Sequence, residues 1–585
     1  MARVWDRMVG PVAGLVAGLF AVLALASCSG MGDAPAATTR NRGPADLAAI
    51  APVVTCGSLT GTDMTAIGGA GSRIASATET TSDGIAVCSV KGTLAPAVNF
   101  QVLLPLKTWT QRYLQVGCGG LCGAITLRSG ASDGCKVLND GGFVMAATDM
   151  GHTMAESDGA WGLDPQRRAD FAWRAQHITS QAAKALIRAF YGQDVRYSYF
   201  NGCSDGGREA LMEAQRFPDD FDGVIAGAPA MLFTVQNTLY HGWMARSNMD
   251  AAGKPILLAN RLPILHKAVI AACDRNDGVV DGLISLPAAC RFDLDSITCE
   301  LGATDTSNCL TQAEADVARK FYEGPRDPQT RAFLTAGQPL YGSELEWPGV
   351  FVPSGPEGRM MSQMVVPPVM RYLAFAEPRP DTTLADLQFT RETLDALRPR
   401  HHLFDATNPD LSAFAAKGHK LILWHGLADQ HIAPANTVSY QKAMISTMGG
   451  RTVGGFERLY MLPGVGHCGG GEGLASIDLL TAMMVWVESG HAPEALMTGS
   501  TRHRSTFGQP QGIAGQSAAA ASPQAASDGQ EMTRPVYPWP AVASHTGSGS
   551  YTDAASWTRS ASTHVVAARD WQGTDLFAPY VFVDQ

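Results

Sequence analysis

The sequence predicts an α/β fold, a mainly parallel sheet with helices on both faces, interrupted by one large insertion. Three observations predict it. Strand-like apolar runs alternate with helical runs up to about residue 231; the alternation then stops and resumes after about residue 400; and a glycine-flanked serine, Gly202-Cys203-Ser204-Asp205-Gly206, sits between a strand-like run and a helix-like one. Repeated strand-helix-strand units favour parallel pairing, because each crossover helix returns the chain to the same end of the sheet.

Along the chain, NFQVLLPLKTWTQRYLQ from Asn99 reads as two strands joined by a turn, and the glycine-rich GCGGLCG follows from Gly117. GGFVMAATDMGH reads as a buried strand ending in polar residues. DFAWRAQHITSQAAKALIRAFYG has apolar residues at helical spacing and stops at Gly192. RYSYFNG, the serine turn, the helix GREALMEAQRF and the strand GVIAGAPA continue the rhythm. From about Met231 to Arg400 helices, Pro/Gly-rich loops and clustered cysteines replace it, which predicts an inserted domain over 232–399 between core segments 49–231 and 400–585. Sheet grammar returns with HKLILWHGLADQHIAP, ERLYMLPGVGHCGGGEG and the helix SIDLLTAMMVWVESG. Residues 509–532, rich in Ala, Ser and Gln, predict a disordered insertion.

Of 585 residues, 45% are hydrophobic and 17% charged, enough to bury a large core, and the net charge of −10 excludes the basic surface that nucleic-acid phosphates require. At the N-terminus, Arg3 and Arg7 precede an apolar run from about Val9 to Ala26, the layout of an export signal. It ends in Leu25-Ala26-Ser27-Cys28, which resembles a bacterial lipobox; that resemblance implies a signal over 1–28 and a lipid on Cys28 as the only membrane attachment. Ser29 after the cysteine then favours an outer-membrane location. A plain cleavable signal, giving a periplasmic or secreted protein, and a retained membrane helix are the alternatives. Residues 29–48 read as a flexible tether. Export lets the eleven later cysteines pair, and an odd number leaves one over.

The serine turn fits G-x-S-x-G, the nucleophile elbow of an α/β-hydrolase, where glycines let a strand reverse sharply into a helix. Ser204 then projects beside a helix N-terminus. A serine hydroxyl needs an imidazole to take its proton, and the imidazole needs a carboxylate to fix its tautomer. In the order Ser, Asp, His, Asp429 follows one late strand and His467 follows the next. Asp205, which the elbow turns away, and Asp149 compete as the acid; His425, His431 and His152 compete as the base and read more simply as bonded to loop backbone. Backbone N-H groups of Asp205 and of Gly119 or Gly120 are the candidate oxyanion donors, although the glycines also suit a mere tight turn.

Together GCSDGGRE and GHCGG resemble the bacterial and fungal tannases and feruloyl esterases, a family that includes a mono(hydroxyethyl) terephthalate hydrolase; the likeness runs from about Cys56 to Trp557. It implies a Cys203–Cys468 disulfide tying the elbow to the histidine loop, with further pairs Cys56–Cys88, Cys273–Cys290 and Cys299–Cys309. It also implies that the insertion is a lid. Within the lid, CDRNDGVVDGLISLPAAC places Asp274, Asp277 and Asp281 close enough to repel unless a cation neutralises them. The resemblance makes that cation a structural calcium, bound also by the carbonyls of Val279 and Leu283; a solvated acidic turn is the alternative. A disulfide common in the family is missing, with Tyr537 and Trp557 at its two positions, which predicts aromatic packing there. One bridge is expected among Cys118, Cys122 and Cys135, with no pairing assigned. The implied enzyme is a monomeric serine esterase acting through an acyl-enzyme on small aromatic esters. Trp347, Tyr341 and Met360 suit a flat acyl group but equally suit a core. A peptidase or thioesterase with the same triad, and a non-catalytic binding lipoprotein, are the rivals.

Overall fold

The computed structural model describes residues 43–500 and 532–584, apart from 129, 133, 563, 564, 567 and 568. The export signal, Cys28, the tether as far as residue 42 and the Ala/Ser/Gln-rich segment as far as residue 531 lie outside the described residues.

The central sheet has nine strands: β1 Arg73–Ser82, β2 Ile85–Leu94, β3 Val98–Pro105, β4 Arg112–Val116, β5 Phe143–Thr148, β6 Tyr197–Cys203, β7 Gly223–Gly227, β8 Lys420–Gly426 and β9 Glu457–Leu462. Their spatial order is β1-β2-β3-β5-β4-β6-β7-β8-β9. From β5 to β9 every neighbour pair is parallel, whereas β1, β2 and β3 are antiparallel and β3 joins β5 antiparallel. The two strands read from Asn99 are therefore not partners, since β5 lies between them. β4 and β7 are buried throughout and β8 over all but its first residue; β7 and β8 accordingly read as apolar runs, while buried β4 keeps Arg112, paired with Glu488, and Gln115, bonded to Gln176.

Helix α1, Ala175–Tyr191, follows β5 and stops at Gly192, whose φ of +72° is the left-handed value a C-cap takes. Helix α2, Asp205–Arg216, leaves directly from β6. Between β7 and β8 the described chain contributes no strand to the sheet; it forms α3 (His241–Ser247), α4 (Leu262–Cys273), α5 (Gln312–Glu323) and α6 (Met361–Tyr372). α3, α4 and α5 pack on an apolar cluster around Leu265, Val269, Phe321, Trp347 and Phe351, whereas α6 buries Val366, Val369 and Met370 in the main core. Trp347 and Met360 are fully buried and Tyr341 lies against Tyr322, so these three serve as core. Helices α7, Pro434–Met448, and α8, Leu479–Ser489, complete the layers beside β8 and β9.

Among the described residues five disulfides are present: Cys56–Cys88, Cys118–Cys122, Cys203–Cys468, Cys273–Cys290 and Cys299–Cys309. The unassigned bridge is thus Cys118–Cys122, and Cys135 is the buried thiol left over. At the missing bridge, Trp557 packs beneath the Arg534 guanidinium, 3.9 Å from its ring centre, while the chain after Tyr537 is tied to β9 by Trp539 N-H donating to Leu459 O. A cation-aromatic contact and a backbone bond hold the segment there.

Candidate active site

Ser204 stands between β6 and α2 with φ +65° and ψ −122°, a strained backbone that a β-branched residue would resist. The strain persists because the turn is packed from every side. A Cβ on Gly202 would come within 2.2 Å of Gly206 O, one on Gly206 within 2.8 Å of Cys118 O, and one on Gly207 within 2.4 Å of Gly227 O. Ser204 N-H donates to Gly227 O at 3.0 Å, which fixes the elbow to β7. As first residue of α2, Asp205 has a backbone N-H without an intrahelical partner, so the positive end of the helix lies beside the serine. The Asp205 side chain is turned away, paired with buried Arg208 at 2.7 Å.

The glycine-rich loop crosses directly over this turn: a Cβ on Gly117 would meet Gly206 Cα at 2.7 Å. It is held from below by Glu209, which the sequence reading missed. Cys118 N-H and Gln176 Nε2 donate to Glu209 Oε2 at 3.2 and 2.5 Å. Oε1 is 2.8 Å from Cys118 Sγ and 3.2 Å from Cys122 Sγ. Disulfide sulfurs carry no proton, so a proton in those contacts belongs to Glu209, whose pKa burial and then Asp205 push well above the carboxylate range. Gly120 itself is exposed, with φ +65°.

Asp429 and His467 meet at 2.8 Å, Oδ2 to Nδ1. Asp429 is fully buried; burial works against its charge, but attraction from His467 and hydrogen bonds from His425 and His467 hold the carboxyl far below its ordinary range. Its other oxygen accepts from the N-H groups of His431 and Ile432 at 2.8 and 2.9 Å. The Cys203–Cys468 bridge, spanning 265 residues of sequence with Cα atoms 5.9 Å apart, joins the residue before the serine to the residue after the histidine. A hydrogen bond between Ser204 Oγ and His467 is not formed among the described residues; such bonds are commonly long in an empty site and tighten with substrate.

The competing residues separate cleanly. Asp149, just past the end of β5, accepts from Asn99 of β3 and from Gly151 N-H, and burial raises it to about 6. His152 bonds to Leu121 O and stacks on Trp161. His425 does bond to loop backbone, at Ile432 O, but its Nε2 also lies 3.1 Å from Asp429 Oδ2, so it is a second partner of that carboxylate. His431 departs from the expected backbone contact: its ring lies 4.6 Å from that of His467 and 6.0 Å from that of His241. Burial, then His467 and His241, keep the His431 imidazole well below its usual pKa and therefore neutral. Gln430 Oε1 accepts from His467 N-H at 3.2 Å, and Tyr240 of the insertion donates to Gln430 O at 3.0 Å. Neither contact has a sequence signature.

In the acidic loop, Asp274 accepts from the N-H groups of Asp281 and Gly282, and Asp277 Oδ1 from Val279 N-H. Asp277 Oδ2 is buried and partnerless among the described residues, and burial raises both Asp274 and Asp277. Asp281 Oδ2 instead faces Arg534. The orphaned Asp277 oxygen suits a hard cation with oxygen ligands, but with Asp281 held by Arg534 the three carboxylates are not brought together as a ligand set among the described residues.

A model of the family described as tannase and feruloyl esterase matches residues 82–560. The chain belongs to that family. Among this family's curated proteins, mono(2-hydroxyethyl) terephthalate hydrolase of Piscinibacter sakaiensis is 29% identical over 537 residues, covering 79% of this chain and 83% of that one. A probable feruloyl esterase of Arthroderma benhamiae is 32% identical over 447 residues, covering 71% and 79%. The solved structure of feruloyl esterase B from Aspergillus oryzae superimposes with a TM-score of 0.71 at 23% identity, covering 86% of this chain and all of that one, and so shares the fold. As a member of the tannase and feruloyl esterase family, the chain is a carboxylic ester hydrolase with an α/β-hydrolase core; the non-catalytic binding reading falls with that membership.

Proposed function

We propose that this ester hydrolase cleaves esters of aromatic acids with Ser204 as nucleophile, His467 as base and Asp429 as the group that orients His467. The observation that carries the proposal is the Cys203–Cys468 bridge, which clamps the serine turn to a loop whose histidine is already bonded to a buried aspartate. His467 Nδ1-H donates to Asp429, leaving Nε2 free to take the serine proton. Ser204 Oγ attacks the ester carbonyl, and the N-H of Asp205 with one from the Gly119/Gly120 turn meets the oxyanion. The alcohol leaves with the proton from His467, and water activated by the same imidazole releases the acid.

Feruloyl and galloyl esters are the first substrate class, and terephthalate monoesters the second, favoured by the Piscinibacter sakaiensis relative. The test is hydrolysis of methyl ferulate, methyl gallate and a terephthalate monoester side by side, with Ser204→Ala as control. Turnover by Ser204→Ala, or amide turnover exceeding ester turnover, overturns the proposal. It further includes the insertion of 232–399 as a lid over an otherwise monomeric enzyme, and a structural calcium held by Asp274, Asp277, Asp281 and the carbonyls of Val279 and Leu283. Export by residues 1–28 with acylation at Cys28 completes it, supported by five disulfides that need an oxidising compartment.

A further inference from the structure

Away from Ser204, three ligand-bearing side chains from α1, α2 and the turn after α2 converge: His177, Glu213 and Asp220, with one ligand atom from each lying within 4.8 Å of the others. His177 Nδ1 is 2.6 Å from Asp220 Oδ2. Glu213 is 1% exposed, and both of its carboxylate oxygens are buried without a hydrogen-bond donor among the described residues. A buried carboxylate with no donor is strongly unfavourable unless a proton or a cation meets it. Lys184 attracts Glu213 electrostatically but gives it no hydrogen bond: its ammonium donates to Asp220 O and stands 4.0 Å from Asp220 Oδ1.

We propose that His177 Nδ1, Glu213 and Asp220 form a divalent-cation site of zinc type that pins the nucleophile helix α2 to α1. The donor set, one imidazole and two carboxylates, suits zinc. Two ligands on one zinc ion lie at most about 4.2 Å apart, so small rotamer shifts close the set. Gln181 Nε2 lies 2.9 Å from His177 Nε2; with its carboxamide turned over, the Gln181 oxygen would accept Nε2-H and leave the Nδ1 lone pair for the ion. Phe217 stacks on the imidazole with ring centres 3.8 Å apart and fixes its plane. The side chains of His177 and Asp220 are 21% and 11% exposed, which opens one face for the ion to enter and for water to complete its shell.

The test is calorimetric titration of zinc chloride into chelator-stripped full-length protein with calcium in excess, together with melting curves, for wild type, His177→Ala and Glu213→Gln. Wild type is expected to bind one more zinc per chain than His177→Ala, and zinc should raise the melting temperature of wild type but not of His177→Ala. Glu213→Gln, which keeps shape and removes charge, should weaken this site about tenfold or more. Equal stoichiometry and equal melting shifts in wild type and His177→Ala overturn the proposal, whether zinc then binds only the histidines around Ser204 or does not bind. Unchanged affinity in Glu213→Gln also overturns it and leaves a proton shared between Glu213 and Asp220 as the explanation of the pair.

Discussion

At the scale of single residues, each reactive group works only because others constrain it. Asp429 stays ionised in a fully buried position because two histidines and two backbone N-H groups face it, so one carboxylate sets the tautomer of His467 and anchors the loop that carries it. Ser204→Ala should lower kcat on the order of 10⁴-fold or more while the melting curve stays nearly unchanged, because losing one oxygen leaves the packing of the turn intact. Glu209 makes a subtler case. As a neutral acid it holds the Cys118 N-H and contacts the adjacent disulfide, so Glu209→Gln should retain most activity. Glu209→Ala should free the glycine-rich loop and lower kcat roughly 10- to 100-fold with little change in KM. Equal kinetics in the two variants would show that the hydrogen bond does not position the loop. The proposed triad could be named from the sequence because its chemistry requires fixed residue types in a fixed order. The supporting roles of Gln430 and Glu209, and the bond from His425 to Asp429, could not be, because a supporting residue is defined by what it touches in the folded chain, and such contacts have no fixed sequence signature.

At the scale of elements, the buried parallel strands were read from their apolar runs, while β1 and β2 were overlooked. RIASATETTS and IAVCSVKGTL carry polar and small residues, because β1 has one face open to solvent and shows alternation too weak to stand out. The position of β5 between β3 and β4 is likewise a long-range choice that neighbouring sequence does not encode. The Cys203–Cys468 link was legible only through family likeness. It fixes the separation between elbow and histidine loop, so the double variant Cys203→Ala/Cys468→Ala should keep its far-ultraviolet circular dichroism and lose at least about tenfold in kcat. Parallel loss of both signals would mean the bridge stabilises the fold and not the site. In the acidic loop, removing calcium with a chelator should lower the melting temperature of the wild type by several degrees, and Asp277→Asn should melt low with or without chelator. A wild type indifferent to chelation would leave Arg534 as the sole counter-charge of the loop.

At the scale of the whole molecule, the chain between β7 and β8 is bound to the catalytic loops at several points. Tyr240 reaches Gln430 O and Gln236 reaches His431 O on the aspartate side. On the histidine side, His266 of α4 lies between Glu344 and Glu472, with Nδ1 2.7 Å from one carboxylate and Nε2 2.8 Å from the other; Glu472 belongs to the glycine-rich stretch just after His467. Burial disfavours the charged ring, but hydrogen bonds and attraction from the two glutamates prevail and raise His266 from 6.5 to about 10. The folded state therefore holds this proton more tightly than the unfolded chain does. Its contribution, on the order of a few kcal/mol, is complete below about pH 6.5 and is lost as pH rises through about 10. Chemical denaturation at pH 7 and pH 10 should show the wild type losing more stability across this interval than His266→Gln, whose amide can bond to both glutamates but carries no proton to lose. Tyrosines and lysines that titrate in the same range are common to both proteins and cancel in the comparison. Identical losses would mean that the imidazolium does not hold the insertion to the histidine loop. A smaller loss in the variant, accompanied by a lower kcat at pH 7, would tie the charge of one buried ring in the insertion to the placement of His467.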